Sequence, residues 1–359
     1  MMMPSDFSSR ATPFISSLTQ TLKASPKRVV FTEGEDERIL SVAAALAHDE
    51  IILPVLLGNT EKMGNMAADL KLKMDFVRFI DPKTSPQRDR FAGYFERSEK
   101  IRGERVANAG EMMERPHYFG AMMLQYGQVD GMLAGNQSLP ANVYRSAIRM
   151  LKPLPEVERA FSMVILADRE DAPARNFGKG GILILADCNL LVDPSVKDLA
   201  TVAVETGRLA QELLGRRPRI GMLSHSNYGS ASSDSSRKML AATRLAQDLA
   251  NQRNLDIEIR GELHADVAMC QTASMMKTNS QEFEPCDVLV FPNQDAGHIS
   301  YKLLRHVGGF PAFGQVLVGL GGPVAQVPRN ASAERIYGTA AVIGAEAIKY
   351  HSMFPLGLY

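Results

Sequence analysis

The sequence has few cysteines and no long apolar run. Cys188, Cys270 and Cys286 are an odd number and form no CxxC or CxxH pair, so neither a disulfide framework nor a zinc site is indicated. The longest apolar stretches, such as Ile51 to Leu57, reach about eight residues, whereas a membrane-spanning helix needs roughly twenty. These absences predict a reduced, cytoplasmic protein that has no membrane partner.

Excess charge of either sign is also missing. Forty Lys and Arg residues balance forty Asp and Glu residues, which gives a formal net charge of zero. This balance removes the electrostatic footprint of a nucleic-acid binder or of a protein that binds anionic membranes, although a local basic pocket stays open. With 359 residues, of which 45% are apolar, the chain exceeds the usual size of a single core, so we expect two domains.

Several motifs of nucleotide, hydrolase and metal chemistry are absent. The chain contains no GxxxxGK[ST] loop, no GxGxxG fingerprint, no GxSxG elbow and no HExxH helix. We therefore expect no bound cofactor and no metal site. Residues 1 to 23 are rich in Ser and Thr and faintly resemble a targeting peptide, but Asp6 interrupts them, and we favour an amphipathic helix from Phe14 to Leu22.

Short apolar runs alternate with helical patterns along the chain, which is typical of an α/β protein with a mostly parallel sheet. Most of the runs are unbroken rather than alternating, as expected for strands that helices cover on both faces. The predicted strands are Arg28 to Phe31, Ile52 to Leu57, Phe76 to Ile80, Gly131 to Ala134, Phe161 to Ala167, Ile182 to Ala186, Arg219 to Leu223, Ile257 to Arg260 and Val288 to Phe291. The remaining predicted helices are Glu37 to His48, Tyr118 to Gln125, Asn142 to Leu151, Val196 to Leu214, Arg237 to Gln252 and Ala333 to Tyr350.

Two segments are candidate domain boundaries. Two prolines in Lys152-Pro153-Leu154-Pro155 interrupt helix, and a glycine-rich run extends from Gly308 to Pro323. After the second boundary a final helix can return to the first domain. We therefore predict domain I from residues 1–154 and 318–359, and domain II from residues 155–317.

Four polar loops follow predicted strands, where ligands bind in open parallel sheets. Thr32 to Arg38 suits either a ligand loop or a turn with acidic helix-cap residues. Ala134 to Asn142, with Arg145 a turn into the next helix, suits an anion site or an ordinary capped loop. Leu223 to Ser233 is dense in hydroxyl groups but suits a flexible surface loop as well. Phe291 to Lys302 runs from a strand through a loop into a helix, and its final lysine suits either a ligand contact or a solvated helix position.

Taken in order, these segments resemble the phosphate acetyl/butyryl-transferase family, the phosphotransacetylases. The match runs from about Arg28 to Tyr350. The matching motifs are Val29-Val30-Phe31-Thr32-Glu33-Gly34-Glu35-Asp36-Glu37-Arg38, Tyr118-Phe119-Gly120-Ala121-Met122-Met123, Ala134-Gly135-Asn136 through Arg145, Ala186-Asp187-Cys188, Met222-Leu223-Ser224-His225-Ser226 with Gly229-Ser230-Ala231, Gly261-Glu262-Leu263, and Asp295 to Lys302. The nearest branches are similar to the ethanolamine-utilisation phosphotransacetylase and to the C-terminal domain of bacterial malic enzymes.

The resemblance implies a fold and an assembly. It implies two α/β domains of the isocitrate/isopropylmalate dehydrogenase type, with the active site in the cleft between them. It also implies a homodimer, for which the inserted domain II is the expected dimerisation domain. The implied substrates are phosphate and an acyl-CoA, with acetyl-CoA expected, and coenzyme A enters as a substrate ester rather than as a bound cofactor.

The implied reaction is direct attack of phosphate on the thioester, which gives acyl phosphate and CoA. Two anions must be held together while an oxyanion is stabilised, and arginine is suited to phosphate because its guanidinium donates two parallel hydrogen bonds. By resemblance, Arg145 and Arg329 bind the phosphoryl group. The expected substrate-binding residues are Asn136, Ser138, Asn142, Ser226, Gly229, Ser230, Asp295, Tyr301 and Lys302.

One segment departs from the family pattern. Active phosphotransacetylases carry Ser-Arg-Gly followed by a carboxylate proposed to deprotonate the thiol, whereas this chain has Pro328 before Arg329 and Arg335 at the carboxylate position. Glu334 lies one residue away, which rotates a helical side chain by about 100 degrees. If the site is active, we expect Arg335 to lower the thiol pKa and Glu334 or water to take the proton. The alternative is a catalytically impaired module that senses acyl-CoA or oligomerises, like that of malic enzymes.

Overall fold

A computed structural model describes residues 11–101, 108–168, 180–278 and 283–353, together with residues 7, 103, 106, 177 and 178. The chain divides into two compact units. Unit 1 is Met1–Leu154 with Leu320–Tyr359, and unit 2 is Pro155–Gly319. The boundaries drawn from the sequence follow residues 154 and 317, so the second one differs from this division by two residues.

Unit 1 is built from helices around a five-stranded sheet. Its elements are α1 (Pro13–Ala24), β1 (Lys27–Phe31), α2 (Glu37–His48), β2 (Ile52–Leu57), α3 (Thr60–Asp69), β3 (Arg78–Ile80), α4 (Arg88–Ile101), α5 (Ala109–Met113), α6 (Pro116–Gln125), β4 (Gly131–Ala134), α7 (Pro140–Met150), β11 (Val324–Gln326) and α13 (Ala333–Met353). The strand order is β3-β2-β1-β4-β11, and the neighbouring strands are parallel. Because parallel strands end at the same edge, the loops after β1, β4 and β11 lie together there.

The core of unit 1 sits between this sheet and its covering helices. The apolar residues of β1, Val29 to Phe31, are fully buried. Helix α13 packs against β1 and β4 and against helices α1 and α2. The C-terminal helix therefore returns to the first unit, as the sequence analysis expects.

Unit 2 has a six-stranded mixed sheet. Its elements are β5 (Phe161–Ala167), β6 (Ile182–Ala186), α8 (Val196–Leu214), β7 (Arg219–Leu223), α9 (Asp234–Gln252), β8 (Glu258–Leu263), α10 (Ala265–Met269), α11 (Gln271–Thr278), β9 (Val288–Val290), α12 (Gln294–His306) and β10 (Ala312–Val318). The strand order is β10-β5-β6-β9-β7-β8, with β5 antiparallel to both of its neighbours and the other pairs parallel. The mostly parallel α/β class is confirmed.

Helix α8 shows how closely local sequence controls an element. Ser195 accepts a hydrogen bond from the backbone N–H of Asp198, and the Asp198 carboxylate accepts from the backbone N–H of Ser195 in return. Gly215 ends the helix at φ 63°, in the left-handed region that favours glycine. This reciprocal capping pair and glycine stop fix the predicted bounds of Val196–Leu214.

Four predicted strands have different bounds, of which the first begins at Lys27 instead of Arg28, and two strands were not predicted. Phe76 is exposed and has a positive φ of 65°, so the strand begins only at Arg78. The strand predicted from Ile257 to Arg260 is shifted to Glu258–Leu263, and the one predicted to end at Phe291 ends at Val290. Strands β10 and β11 were not predicted, and the glycine-rich run taken as a boundary contains all of β10.

Two further observations concern membranes and thiols. Among the described residues, no helix has the length and apolarity needed to cross a bilayer. Cys188, Cys270 and Cys286 are free thiols. Burial raises the pKa of the Cys286 thiol to about 12, which excludes this group as a thiolate near neutral pH.

Candidate functional site

A cationic pocket lies in unit 1 at the starts of helices α6 and α7. Its volume is about 240 Å³. The lining residues are Arg115, Pro116, His117, Tyr118, Ser138, Asn142 and Arg145. Two of these side chains are permanently positive, a third is an imidazole, and none is acidic. The pocket therefore suits a small anion.

Two helix N-termini contribute to the same pocket. Helix α6 begins at Pro116 and α7 at Pro140, and neither helix has a side-chain cap or an acidic residue in its first turn. The first-turn N–H groups of a helix have no intrahelical acceptor, and the helix dipole makes this end positive. An anion in the pocket would supply the acceptors that these two helix starts lack.

The two arginines of the pocket keep their donors available. Arg115 and Arg145 are exposed, and within the described part of the chain neither side chain forms a hydrogen bond or an ion pair. A guanidinium has five N–H donors and meets a phosphate in a bidentate manner. The predicted phosphate ligand Arg145 is thus placed in a pocket of matching charge, together with the predicted residues Ser138 and Asn142.

His117 forms the buried wall of this pocket. Its side chain is 12% exposed, and Nε2 lies 3.7 Å from Oε1 of Glu33, in the loop after β1. Desolvation by burial lowers the pKa of His117, and the Glu33 carboxylate opposes this shift. Nδ1 of His117 and Oε1 of Glu33 are both buried and have no hydrogen-bond partner. Neither residue was among the predicted site residues.

Arg38 connects the loops after β4 and β11, at the edge where the parallel strands of unit 1 end. Its guanidinium donates to the backbone carbonyl oxygens of Asn136 (3.1 Å), Arg329 (2.9 Å) and Ala331 (2.8 Å). The carboxylate of Asp36 holds it, with Oδ2 2.7 Å from Nη2. Burial raises the pKa of Asp36, but hydrogen bonds from Arg38 outweigh this and leave the pKa below its ordinary value. Arg38 therefore fixes the loops after β4 and β11 relative to each other.

Asp36 bears on the two interpretations of the Thr32 to Arg38 loop, a ligand loop or a turn with acidic helix-cap residues. It is the N-cap of helix α2, because its carboxylate accepts from the backbone N–H of Arg38 at 2.8 Å. The capping interpretation is correct for this residue. The loop contributes to the site as well, since Glu33 accepts from the backbone N–H of Gly135 at 2.8 Å.

The side-chain amide of Asn136 is buried and has no hydrogen-bond partner. The side chain is 2% exposed, and neither its amide oxygen nor its amide nitrogen has a hydrogen bond in the structure. It follows Gly135, whose φ of 104° turns the chain away from β4. A buried amide that makes no hydrogen bond within the protein is suited to a ligand or an ordered water.

The Pro328 to Arg335 segment is divided between surface and interior. Arg329 is exposed, and its side chain has no ion pair among the described residues. Glu334 is partly exposed in the first turn of α13, and Arg335 is buried at 7% exposure. The roles predicted for Glu334 and Arg335 stay predictions.

The remaining predicted residues lie in unit 2. The hydroxyl of Ser226 donates to Oε1 of the buried Glu262 at 2.7 Å, and the N–H of Gly229 donates to the same oxygen. The Ser230 hydroxyl accepts from the N–H of Asn227 at 2.9 Å. Hydrogen bonds from Ser226 and Gly229 therefore attach the loop after β7 to β8.

Helix α12 carries the last three predicted residues. Asp295 lies exposed in its first turn, whereas Tyr301 is fully buried in the core of unit 2. The ammonium of Lys302 lies 5.0 Å from the centre of the Tyr301 ring. Tyr301 anchors α12 to the core of unit 2. Asp295 and Lys302 have the solvent access that a ligand contact requires.

Four lining residues were not among the predicted site residues: Arg115, Pro116, His117 and Tyr118. The signal that could have found them is Pro116 at the first position of a helix, flanked by basic residues and followed by no acid. In the part of the chain that the structure describes, no group of three or more His, Cys, Asp or Glu residues is arranged so that it could hold a metal ion.

The fold and this pocket define an α/β protein with a site suited to a phosphate-sized anion, and comparison with known proteins gives its family. The family model described as "Phosphate acetyl/butaryl transferase" matches residues 13–344. The chain belongs to this family of acyltransferases. It is 31% identical over 335 residues to a phosphate acetyltransferase of Acetivibrio thermocellus, covering 93% of this chain and 98% of that one. The phosphate acetyltransferase of Bacillus subtilis is 31% identical, over 89% and 95% of the two chains.

Solved structures agree with this assignment. The EutD phosphotransacetylase from Staphylococcus aureus superposes with a TM-score of 0.81 at 30% identity and covers 93% of this chain and 99% of that one. A 4-hydroxythreonine-4-phosphate dehydrogenase from Klebsiella pneumoniae has a TM-score of 0.52 at 13% identity, over 91% and 99% of the chains, and shows a likeness of fold alone. The predicted resemblance to a phosphotransacetylase is confirmed.

Proposed function

We propose that this chain transfers an acyl group, with acetyl as the expected group, between coenzyme A and phosphate. Phosphate attacks the thioester carbonyl, the carbon–sulfur bond breaks, and acyl phosphate and CoA are released. The observation that carries the proposal is the pocket in which Arg115, Arg145 and two uncapped helix starts face a space of phosphate size. Family membership supports the same reaction.

The pocket can contribute to catalysis in two ways. First, it holds a multiply charged nucleophile in place, so that attack on the thioester becomes an intramolecular event. Second, its guanidinium groups stay close to the oxygen on which negative charge develops, and preorganised donors of this kind lower the barrier more than mobile water does. Asn142 and Ser138 add neutral donors at the pocket wall.

The direct test is thiol release from acetyl-CoA by the purified protein, with and without phosphate, followed by calorimetric binding of acetyl-CoA. Phosphate-dependent release is the expected result. Binding without release would favour the alternative of an acyl-CoA-sensing module, for which Pro328 and the buried Arg335 are the supporting departures from the family pattern. Absence of both binding and release would reject both functions.

The proposed reaction needs no resident cofactor, because phosphate and the thioester supply all the atoms that are exchanged. Dialysis against a chelator should therefore leave the rate unchanged once free phosphate and CoA ester are restored. We also propose a cytoplasmic location, which the free thiols Cys188, Cys270 and Cys286 support.

We propose that the active form is a homodimer in which helix α12 packs against a second copy of itself. Ile299, Leu303 and Val307 are 58%, 55% and 82% exposed and recur every four residues, so they share one face of the helix. Asp295 lies at the acidic start of α12, and the last turn is basic. A two-fold axis perpendicular to the helices would place them antiparallel and bring the acidic start of each against the basic end of the other.

Light scattering of the full chain tests this interface. Leu303→Asp should convert a dimer to a monomer, because a carboxylate would then be buried in an apolar contact. Phe76→Asp is the matched control, since Phe76 is 82% exposed in unit 1 and lies away from α12 in the sequence. A dimer that survives Leu303→Asp would reject this face, and a monomeric wild-type protein would reject the dimer.

A further inference from the structure

His117 combines three properties that no other residue lining the pocket has. It can change its charge near neutral pH, it faces a carboxylate, and one of its ring nitrogens is buried without a hydrogen-bond partner. An arginine side chain cannot be deprotonated in a protein, so Arg115 and Arg145 are not proton acceptors. His117 is therefore the lining group suited to proton transfer.

Glu33 is placed to orient the imidazole. Its Oε2 accepts the backbone N–H of Gly135 at 2.8 Å, which fixes the carboxylate. Its Oε1 accepts no hydrogen bond and lies 3.7 Å from Nε2 of His117. The anionic carboxylate favours the protonated form of the imidazole, and a contact of this length shortens to a hydrogen bond when the substrate complex tightens.

We propose that His117 is the catalytic proton acceptor of the acyl transfer and that Glu33 is its positioning residue. The inference rests on the proposed function and goes beyond it, because it assigns a base on α6 where the family pattern places a carboxylate after Arg329. Here that position is occupied by Arg335, which is buried and cannot accept a proton.

The step balances without a further reactant. Hydrogenphosphate gives its proton to the imidazole of His117 as its oxygen forms the bond to the acyl carbon. The carbon–sulfur bond breaks, and its electron pair stays on sulfur. The imidazolium then returns the proton to the thiolate, so His117 ends neutral and the products are acyl phosphate and CoA thiol. In the reverse direction His117 takes the thiol proton and returns it to the leaving phosphate.

The surroundings of His117 are suited to this cycle. Burial lowers its pKa, which keeps the imidazole neutral and able to accept a proton before the reaction. The charged and titratable groups that face it are Glu33 from the β1 loop, Arg115 and Tyr118 from its own helix, and Arg145 from α7. Glu33 stabilises the imidazolium that forms. The positive charges of the arginines destabilise it, which favours return of the proton to the thiolate.

The test is the pH dependence of kcat/KM for acyl transfer from acetyl phosphate to CoA, measured between about pH 5 and 8, where histidine titrates. Titration of the substrates is common to all variants, so an acid limb that is present in the wild-type protein and absent from His117→Gln reports the enzyme. The wild-type protein should show an acid limb with a pKa below that of a free imidazole, because burial lowers it. His117→Gln should remove this limb and lower kcat about 100-fold or more, with little change in KM for acetyl phosphate.

Two further variants separate chemistry from structure. Glu33→Gln removes the charge that raises the imidazole pKa, so its acid limb should move to lower pH. His117→Ala should regain part of its rate when free imidazole is added, which a merely structural loss would not permit. His48→Gln is the control, because His48 is an exposed histidine on α2 and should keep the wild-type profile.

The outcomes are distinct. Absence of acyl transfer by the wild-type protein would reject the proposed function and this inference together. An active wild-type protein without an acid limb, or a His117→Gln variant with the wild-type profile, would overturn the inference alone. If His117→Gln fails to fold, the shift of the limb in Glu33→Gln decides the question, and an unmoved limb counts against the inference.

Discussion

The hydroxyl of Ser226 donates to Oε1 of Glu262 at 2.7 Å, inside unit 2, where the Glu262 side chain is only 1% exposed. The backbone N–H of Gly229 donates to the same oxygen at 2.7 Å. A buried carboxylate is tolerated when donors surround it, so this cluster attaches the loop after β7 to the end of β8. Ser226 thus has a structural partner in addition to the substrate role predicted for it.

Substitutions at this cluster distinguish the two roles of Ser226. Glu262→Ala should lower the free energy of unfolding by about 1–3 kcal/mol, because two buried donors lose their acceptor. Ser226→Ala should cost about 1–3 kcal/mol, since the hydroxyl both donates to Glu262 and accepts from the backbone N–H of Ala231. Urea denaturation measures both. A Ser226→Ala protein with wild-type stability and a much lower acyl-transfer rate would instead show that the hydroxyl acts on the substrate.

Arg145 in the pocket and the exposed Arg329 should act on phosphate rather than on the CoA ester. Arg145→Ala and Arg329→Ala should each lower kcat/KM for phosphate by orders of magnitude, and Arg145→Lys should recover only part, because an ammonium lacks the bidentate geometry. Initial rates at varied phosphate test this. Arg90→Ala, a change at an exposed arginine of α4, is the control. An unchanged rate in Arg329→Ala would remove that residue from the site.

Gly135 should tolerate no side chain. It has a φ of 104°, and a Cβ there would lie 2.7 Å from Nε2 of Gln326 and 2.7 Å from the carbonyl oxygen of Val327. Gly135→Ala should cost about 1–3 kcal/mol in backbone strain alone and should displace Asn136 from the pocket edge. Thermal unfolding and acyl-transfer rates check both effects.

Gly64 offers a matched control for that substitution. It lies within helix α3, and a Cβ added there meets nothing within 4 Å. Gly64→Ala should therefore stabilise the protein by about 0.5–1 kcal/mol, because alanine is the better helix former. Equal effects of the two substitutions would contradict the strain assigned to Gly135.

Glu346 should make stability depend on pH. This carboxyl is buried in α13, its Oε1 has no hydrogen-bond partner, and burial raises its pKa to about 8. The unfolded chain releases this proton near pH ~4.3 while the folded chain retains it, so the free energy of unfolding should fall by a few kcal/mol as pH rises from there to about 8. Thermal unfolding midpoints at several pH values measure this.

The variant Glu346→Gln removes the titration but keeps the shape. Its melting temperature should match that of the wild-type protein at acidic pH and exceed it increasingly toward pH 8, the approximate pKa of the folded carboxyl. Parallel curves for the two proteins over the whole range would show that burial does not raise the pKa of Glu346.

The fold was predictable where one strong local signal controls an element. Phe161–Ala167 is an unbroken apolar run whose seven residues are all buried, and its predicted bounds are correct. Strand β10 contains a glycine and a glutamine and an irregular register between Phe313 and Val316, so its pattern was concealed. Strand β11 has three residues, which is too short for periodicity to show.

The site was predictable where residues follow strands along the chain. Ser138, Asn142 and Arg145 come directly after β4, and they do line the pocket. Arg115 immediately precedes α6 and His117 lies in its first turn, and both reach the same pocket through tertiary packing alone. The carboxylate of Glu33 gains its importance from a contact across 84 positions of sequence, from 33 to 117, which no local pattern displays.

The interruption of unit 1 by residues 155–319 has a consequence for biosynthesis. Strands β4 and β11 are neighbours in the sheet of unit 1, although all of unit 2 is synthesised between them. Until β11 has been made and has paired with β4, this side of β4 has no partner strand, and Arg38 lacks its acceptors on Arg329 and Ala331. The loops around the phosphate-sized pocket therefore become fixed only after the segment that follows unit 2 has joined the sheet.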